Sequence, residues 1–123
     1  MNKTDLEIRT KRFALNIIQF VATLPRNKVG DVITHQLVKS GTSVGANYRE
    51  ATRAESRNDF IHKIAIVEKE ASETQYWLEL CDEATLGNPE ARSILVREAG
   101  ELVAIFTQSA KTAKTNRAAT AGR

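Results

Sequence analysis

Apolar residues recur at helical spacing along four stretches of the chain. Leu6, Phe13, Ile17, Phe20 and Leu24 share one face of a helix predicted over about residues 5–24. Pro25 ends it, because proline lacks an amide donor and disfavours the helical conformation of the residue before it. A second helix is predicted over about residues 28–53, with Val29, Ile33, Leu37, Val44 and Ala51 on one face. A third opens at Ser56 with Asp59 three residues on, an acidic variant of the capping box. Phe60, Ile64, Val67, Ala71, Thr74, Leu78 and Cys81 form its stripe, and Gly87 suits its left-handed cap. Asn88 and Pro89 then supply an N-cap and a first helical residue. The fourth helix carries Ile94 or Leu95, Leu102, Ile105, Phe106 and Ser109. No stretch alternates as a strand. The predicted loops at residues 25–27, 54–56 and 87–89 are too short for crossovers. The pattern therefore predicts an all-α, antiparallel up-down-up-down four-helix bundle within residues 1–110. Residues 111–123 contain no large apolar side chain and are expected to form a disordered, basic tail.

Two departures from a plain bundle pattern stand out. The second helix places Gln36, Ser40 and Asn47 where a core stripe should be apolar. Buried polar groups are costly unless bonded, so Gln36, Asn47, Glu50 and Glu70 are expected to form a buried polar network. Lys63, Arg49 and Asn47 are the candidate partners of Glu70. Gly41, Gly45 and Thr52 make a line of small residues on the same helix. They permit close helix approach inside the bundle or between subunits, or mark a break over residues 40–45. The second departure is in the third helix. Ile66, Glu70, Glu73, Trp77, Leu80 and Ala84 form a second line, about 120° round from the core stripe. A monomeric bundle needs one stripe per helix, so Ile66, Glu73, Trp77 and Leu80 are expected at a subunit interface, with Trp77 as anchor. The competing explanation is that this helix is merely the most buried one of a monomer.

Charge sharpens the picture more than composition does. At 123 residues, 41% hydrophobic and 27% charged, the chain has room for one soluble domain. No run of about 18 apolar residues offers a membrane span. The first residues lack a signal peptide's apolar region, and one cysteine, Cys81, cannot form an intramolecular disulfide. A cytoplasmic location without membrane contact is expected. Residues 59–87 hold seven acidic and two basic side chains, a net of −5 within a chain of +3 overall. This pattern fits charge complementarity between elements or between subunits. Lys39, Arg49, Arg53 and Arg57 fall within about 80° of one another on the outer side of the second helix and its extension. Lys111, Lys114, Arg117 and Arg123 make the tail basic. Repeated around an oligomer, such a stripe becomes a ring of positive potential suited to phosphate backbones. The competing explanation is that these cations serve solubility alone.

No catalytic set assembles from the sequence. His35 and His62 are the only histidines, and Asp59-x-x-His62 is a single near match to a di-iron motif that needs two. The stretch from Gly41 to Gly45 lacks the lysine and hydroxyl ending of a phosphate loop. Cys81 lies on the core stripe. Neither an enzyme nor a metal or cofactor site is expected.

Three segments taken together carry a family resemblance. They are Gln36-Leu37 followed by Ser43-Val44-Gly45-Ala46-Asn47-Tyr48-Arg49-Glu50-Ala51; Ser56 to Phe60; and Lys63 to Leu80 with Glu70, Glu73 and Trp77. Over about residues 12–106 the chain resembles the four-helix-bundle family labelled 23S ribosomal RNA intervening-sequence protein, or S23 ribosomal protein. A related branch is the accessory variability protein of diversity-generating retroelements, a basic pentameric barrel that binds nucleic acid and a reverse transcriptase. The resemblance implies a four-helix protomer in a ring-shaped homopentamer, and a reverse transcriptase as a candidate partner. The family usually has a glycine soon after its Asn-x-x-Glu element, where this chain has Ala51 and Thr52. The expected function is a non-enzymatic, oligomeric accessory protein that binds the backbone of RNA or DNA. The alternative is a protein-recruiting scaffold with no direct nucleic-acid contact.

Overall fold

The computed structural model of the protein describes residues 1–121. Within them lie α1 (Lys3–Val21), α2 (Lys28–Thr52), α3 (Arg57–Glu83) and α4 (Pro89–Ala121), and the described residues contain no strand. Each helix packs on the next and α4 returns to α1, while the backbones of the diagonal helix pairs stay apart among the described residues. The result is an up-down-up-down bundle. None of its helices is long and apolar enough to cross a membrane.

Local chemistry sets the helix starts. Asn2 and Asp5 bond reciprocally, with the Asp5 amide donating to Asn2 Oδ1 at 2.8 Å and the Asn2 amide to Asp5 Oδ2 at 3.2 Å. Asn27 accepts from the Gly30 amide at 2.9 Å, and Asn88 from the Ala91 amide at 2.9 Å. Ser56 accepts from the Asp59 amide at 3.0 Å, while the Asp59 carboxylate accepts from the amide of Glu55 at 3.1 Å. The box predicted at Ser56 is thus closed one residue further back.

The helix ends differ from the pattern by a few residues. α1 stops at Val21, although Leu24 remains buried. α3 stops at Glu83, and the chain turns through Thr85 and Gly87, both at positive φ. A Cβ on Gly87 would sit 2.7 Å from the Phe20 ring. Arg92 completes this corner. It is 7% exposed, and its guanidinium donates to Asp82 Oδ1 at 3.1 Å and to the carbonyls of Leu86 and Gly87 at 2.9 and 3.1 Å. These are carbonyls of the turn just past the α3 C-terminus, where a cation is favourable.

Phe13, Ile17, Phe20, Leu37, Ile64, Leu78, Leu95, Leu102 and Phe106 form the centre of the core. Tyr48 closes it at one end, its ring 5.4 Å from that of Phe106. Four expected core positions lie nearer the surface: Val29 is exposed, and Phe60, Ile105 and Ser109 are half-buried. Ile61 takes the buried place beside Phe60.

The stretch over residues 40–45 is unbroken helix. Gly41 and Gly45 face α1, where a Cβ would stand 3.0 Å from Ile17 Cγ1 and 3.1 Å from Thr10 Oγ1 respectively. The small-residue line therefore lets α1 and α2 approach within the bundle. Thr52 extends it, its hydroxyl donating to Glu7 Oε1 at 3.0 Å.

The expected disordered tail is the clearest correction. α4 runs to Ala121, with Ala110 and Ala113 buried. Alanine is the best helix former, and its small side chain lets α4 lie close to the start of α3. Arg57 Nη1 donates to the Asn116 carbonyl at 3.3 Å, and Arg117 Nη1 to Asn58 Oδ1 at 3.4 Å. Large apolar residues were not needed there. Arg123, part of the predicted basic tail, lies outside the described residues.

Candidate nucleic-acid interface

Antiparallel order brings the start of α1, the end of α2, the start of α3 and the end of α4 to one end of the bundle. The bonds between Thr52 and Glu7, and between Arg57 and Asn116, fix these segments at one level. Arg49, Arg53 and Arg57 ride on the α2–α3 corner, and Lys111, Lys114 and Arg117 on the last turns of α4. All six are exposed. Cations are favoured at the C-termini of α2 and α4, which both end here. Arg53 bonds Glu7 Oε1 at 3.4 Å and the Arg49 carbonyl at 3.1 Å, yet its side chain stays 68% exposed. Among the described residues Arg49, Lys111 and Lys114 have no ion pair.

One predicted cation lies elsewhere. Lys39 is ten residues before Arg49, about 15 Å along α2, beside Asp31 and His35. Lys63 takes its place at the basic end. It sits 3.3 Å from Asp59 and 4.0 Å from Glu50, and lines a shallow recess with Arg49 and Arg53. The Asp59 carboxyl is held below the usual carboxylate pKa, first by the Glu55 amide and then by Lys63. The opposite end carries Asp31, Glu79, Asp82, Glu83 and Glu90 against Arg26, Lys28 and the buried Arg92, while the basic end also holds Asp5, Glu7, Glu50, Glu55 and Asp59, so cations prevail at one end and carboxylates at the other. The bundle is therefore polarised along its axis, a property that helix-by-helix charge counting does not reveal.

The expected polar network is not joined within the chain. Gln36, Asn47 and Glu70 are half-buried and Glu50 is exposed. No hydrogen bond among the described residues links the four to one another. The helices satisfy themselves instead. Ser40 Oγ donates to the Gln36 carbonyl at 2.9 Å, Asn47 Nδ2 to the Ser43 carbonyl at 2.8 Å, and Thr74 Oγ1 to the Glu70 carbonyl at 2.7 Å.

The second line of α3 begins one turn after Lys63, which approaches Glu50 of α2. Ile66, Glu73 and Trp77 are half-buried there and Leu80 is exposed. Trp77 packs against the core and meets the exposed Tyr76 edge-on at 5.1 Å. Its indole nitrogen is buried without a hydrogen-bond partner among the described residues. Cys81 is fully buried, and burial raises its thiol pKa. No cluster of three metal-ligating side chains occurs among the described residues.

Known proteins place this geometry in a lineage. The pattern of the 23S rRNA-intervening sequence protein matches residues 4–108. The chain belongs to that family. A solved relative is a protein of unknown function from the S23 ribosomal protein family of Bacteroides thetaiotaomicron, 34% identical. It covers 90% of this chain and 99% of its own length, with a TM-score of 0.79. No curated protein matches the chain. Family membership agrees with the four-helix fold. The intervening-sequence family pattern ends at residue 108, so Lys111, Lys114 and Arg117 lie beyond it.

Proposed function

We propose that the protein is a non-enzymatic accessory protein that binds the phosphate backbone of RNA or DNA with its basic end. The observation that carries this reading is the convergence of Arg49, Arg53, Arg57, Lys63, Lys111, Lys114 and Arg117 on one end of a polarised bundle. Exposed lysines and arginines neutralise phosphates independently of base sequence, and phosphate contacts carry no sequence information directly. The family's link to ribosomal RNA intervening sequences favours RNA. Self-association as a ring multiplies the potential of one end by the number of copies, and a cytoplasmic location suits such a ligand.

The test is fluorescence anisotropy of labelled duplex and single-stranded RNA and DNA across a salt series. Binding at low salt should weaken steeply as salt rises, by about 0.9 log units per log unit of salt for each phosphate contacted on duplex. No binding to any of the four ligands at low salt contradicts the proposal.

A further inference from the structure

Phe60 is the one phenylalanine that the core does not enclose. Phe13, Phe20 and Phe106 are fully buried, and Ile61 fills the core place that the helical pattern assigned to Phe60. Phe60 is left half-buried, packed against the core and also lining a shallow recess of about 320 Å³. Gln108, Ser109, Thr112, Ala113 and Asn116 of α4 complete that recess. Ala113 is buried and adds small apolar surface, while the other four supply amides and hydroxyls. Gln108 Nε2 donates to Thr112 Oγ1 at 3.2 Å. Ser109, Thr112, Ala113 and Asn116 all lie beyond residue 108, where the family pattern ends.

Charge around the recess is of one sign. No carboxylate lines it. Asp59, next to Phe60 in sequence, engages the Glu55 amide at 3.1 Å and Lys63 at 3.3 Å. Arg57 Nη1 reaches the recess wall, 3.3 Å from the carbonyl of Asn116. Arg117 follows Asn116 and donates to Asn58 Oδ1 at 3.4 Å.

We propose that the Phe60 recess receives one unpaired base of a single-stranded nucleic acid whose flanking phosphates lie on Arg57 and Arg117. The inference rests on the phosphate-binding reading of the basic end and adds which strand that end prefers. An aromatic ring framed by cations is the surface on which single strands stack their bases. A free phosphate would gain nothing from the ring, and an apolar side chain would leave the amide and hydroxyl walls unmet. A base presents a flat apolar face to the ring and a polar edge to those walls. The volume lies at the lower end of the range for small-molecule sites, which suits one base rather than a run of them. A duplex keeps its bases stacked on one another and offers none. Every base has a π-face, so the preference is for single strands of any sequence.

Anisotropy with two labelled RNA strands of equal length tests it: oligouridylate, and a strand with abasic ribose at every position. Both carry the same phosphates. Wild type should bind oligouridylate at least about fivefold more tightly, the scale of one stacked base. Phe60→Leu keeps apolar volume and removes the ring. It should bind both strands with the affinity that wild type shows for the abasic one, and duplex RNA as wild type does, with an unchanged salt slope. Thr112 is exposed, so Thr112→Leu crowds the recess without disturbing the core and should lose the same preference. It replaces Phe60→Leu should circular dichroism show that Phe60→Leu has lost helix. Equal binding of the two strands by wild type overturns the recess and leaves phosphate binding standing, as does a folded variant that keeps the base preference. Binding of neither strand nor of duplex at low salt overturns the phosphate-binding reading itself, and the recess with it.

Discussion

Arg57 Nη1 donates to the backbone carbonyl of Asn116 at 3.3 Å, tying the first turn of α3 to the last turns of α4. This bond joins residues 59 apart in sequence across one end of the bundle and holds the basic extension of α4 beside the α2–α3 corner. A helix of 33 residues spans about 50 Å, against about 40 Å for the 27 of α3. The surplus length carries Arg117 past the start of α3, with Lys111 and Lys114 alongside its first turns. Limited proteolysis should leave Lys111 and Lys114 uncut while the core is folded, and Arg57→Ala should hasten trypsin cleavage after Lys114. Cleavage there at equal rates in both proteins would show that the bond does not restrain the extension.

Gly30 sits in the first turn of α2 under the Pro25 backbone. A Cβ there would lie 1.7 Å from the Pro25 carbonyl oxygen, a group that cannot swing away. Gly30→Ala should cost about 3 kcal/mol through overpacking, lowering the melting temperature by roughly 10 °C or more. Gly100 is the contrast, because its nearest neighbour is the flexible end of Gln75 at 3.5 Å. Gly100→Ala should stabilise the protein by about 0.5–1 kcal/mol through helix propensity. Chemical denaturation of both variants reads the opposite signs.

Arg92→Met keeps the apolar stem and removes the guanidinium that bonds Asp82 and two turn carbonyls. Stability should fall by about 2 kcal/mol, the scale of hydrogen bonds to a buried charge. Urea titration checks it. Nucleic-acid affinity should not change, since Arg92 is 7% exposed and near the acidic end.

Acid should erase the contribution of Asp59. Its carboxyl pKa is depressed in the folded protein by the Glu55 amide and Lys63. A depressed folded-state pKa contributes stability above the unfolded value of 3.8, and that contribution is lost as pH falls through the folded value. Wild type should therefore exceed Asp59→Asn in stability near neutrality, with the gap closing as pH falls below 3.8 and through the depressed folded value. Paired denaturation curves across pH measure it. A gap that is constant with pH would mean that the carboxylate's charge is not what matters.

Much of the fold was legible because each element carries its own signals. Pro25, Ser56 with Asp59, Gly87 and Asn88-Pro89 mark boundaries, and Leu37, Ile64, Leu78 and Leu102 mark the buried faces. What stayed hidden depends on neighbours in space. Ala110 and Ala113 look featureless in sequence and are buried only because α3 begins beside them. Arg92 reads as a surface cation until the α3 corner is folded around it. Asn47 and Ser40 read as buried groups seeking distant partners, but each reaches a carbonyl four residues back on its own helix. The basic end is likewise a product of antiparallel order, which gathers Lys111 and Arg49 from positions 62 residues apart. Six predicted cations sit there. Lys39 does not, because a wheel projection records angle and discards height.

The proposed binding of phosphate by the basic end requires that the position of the cations matter, and not their number alone. Arg49→Gln, Lys111→Gln and Lys114→Gln combined remove three exposed charges from that end, none of them ion-paired among the described residues. Arg26→Gln, Lys28→Gln and Lys69→Gln remove the same charge from elsewhere on the surface. Salt-dependent anisotropy with one RNA duplex compares them. The end variant should bind at least about tenfold more weakly than wild type, with a salt slope shallower by about one for each phosphate left unneutralised, while the other variant stays close to wild type. Equal weakening by the two would contradict binding through the basic end.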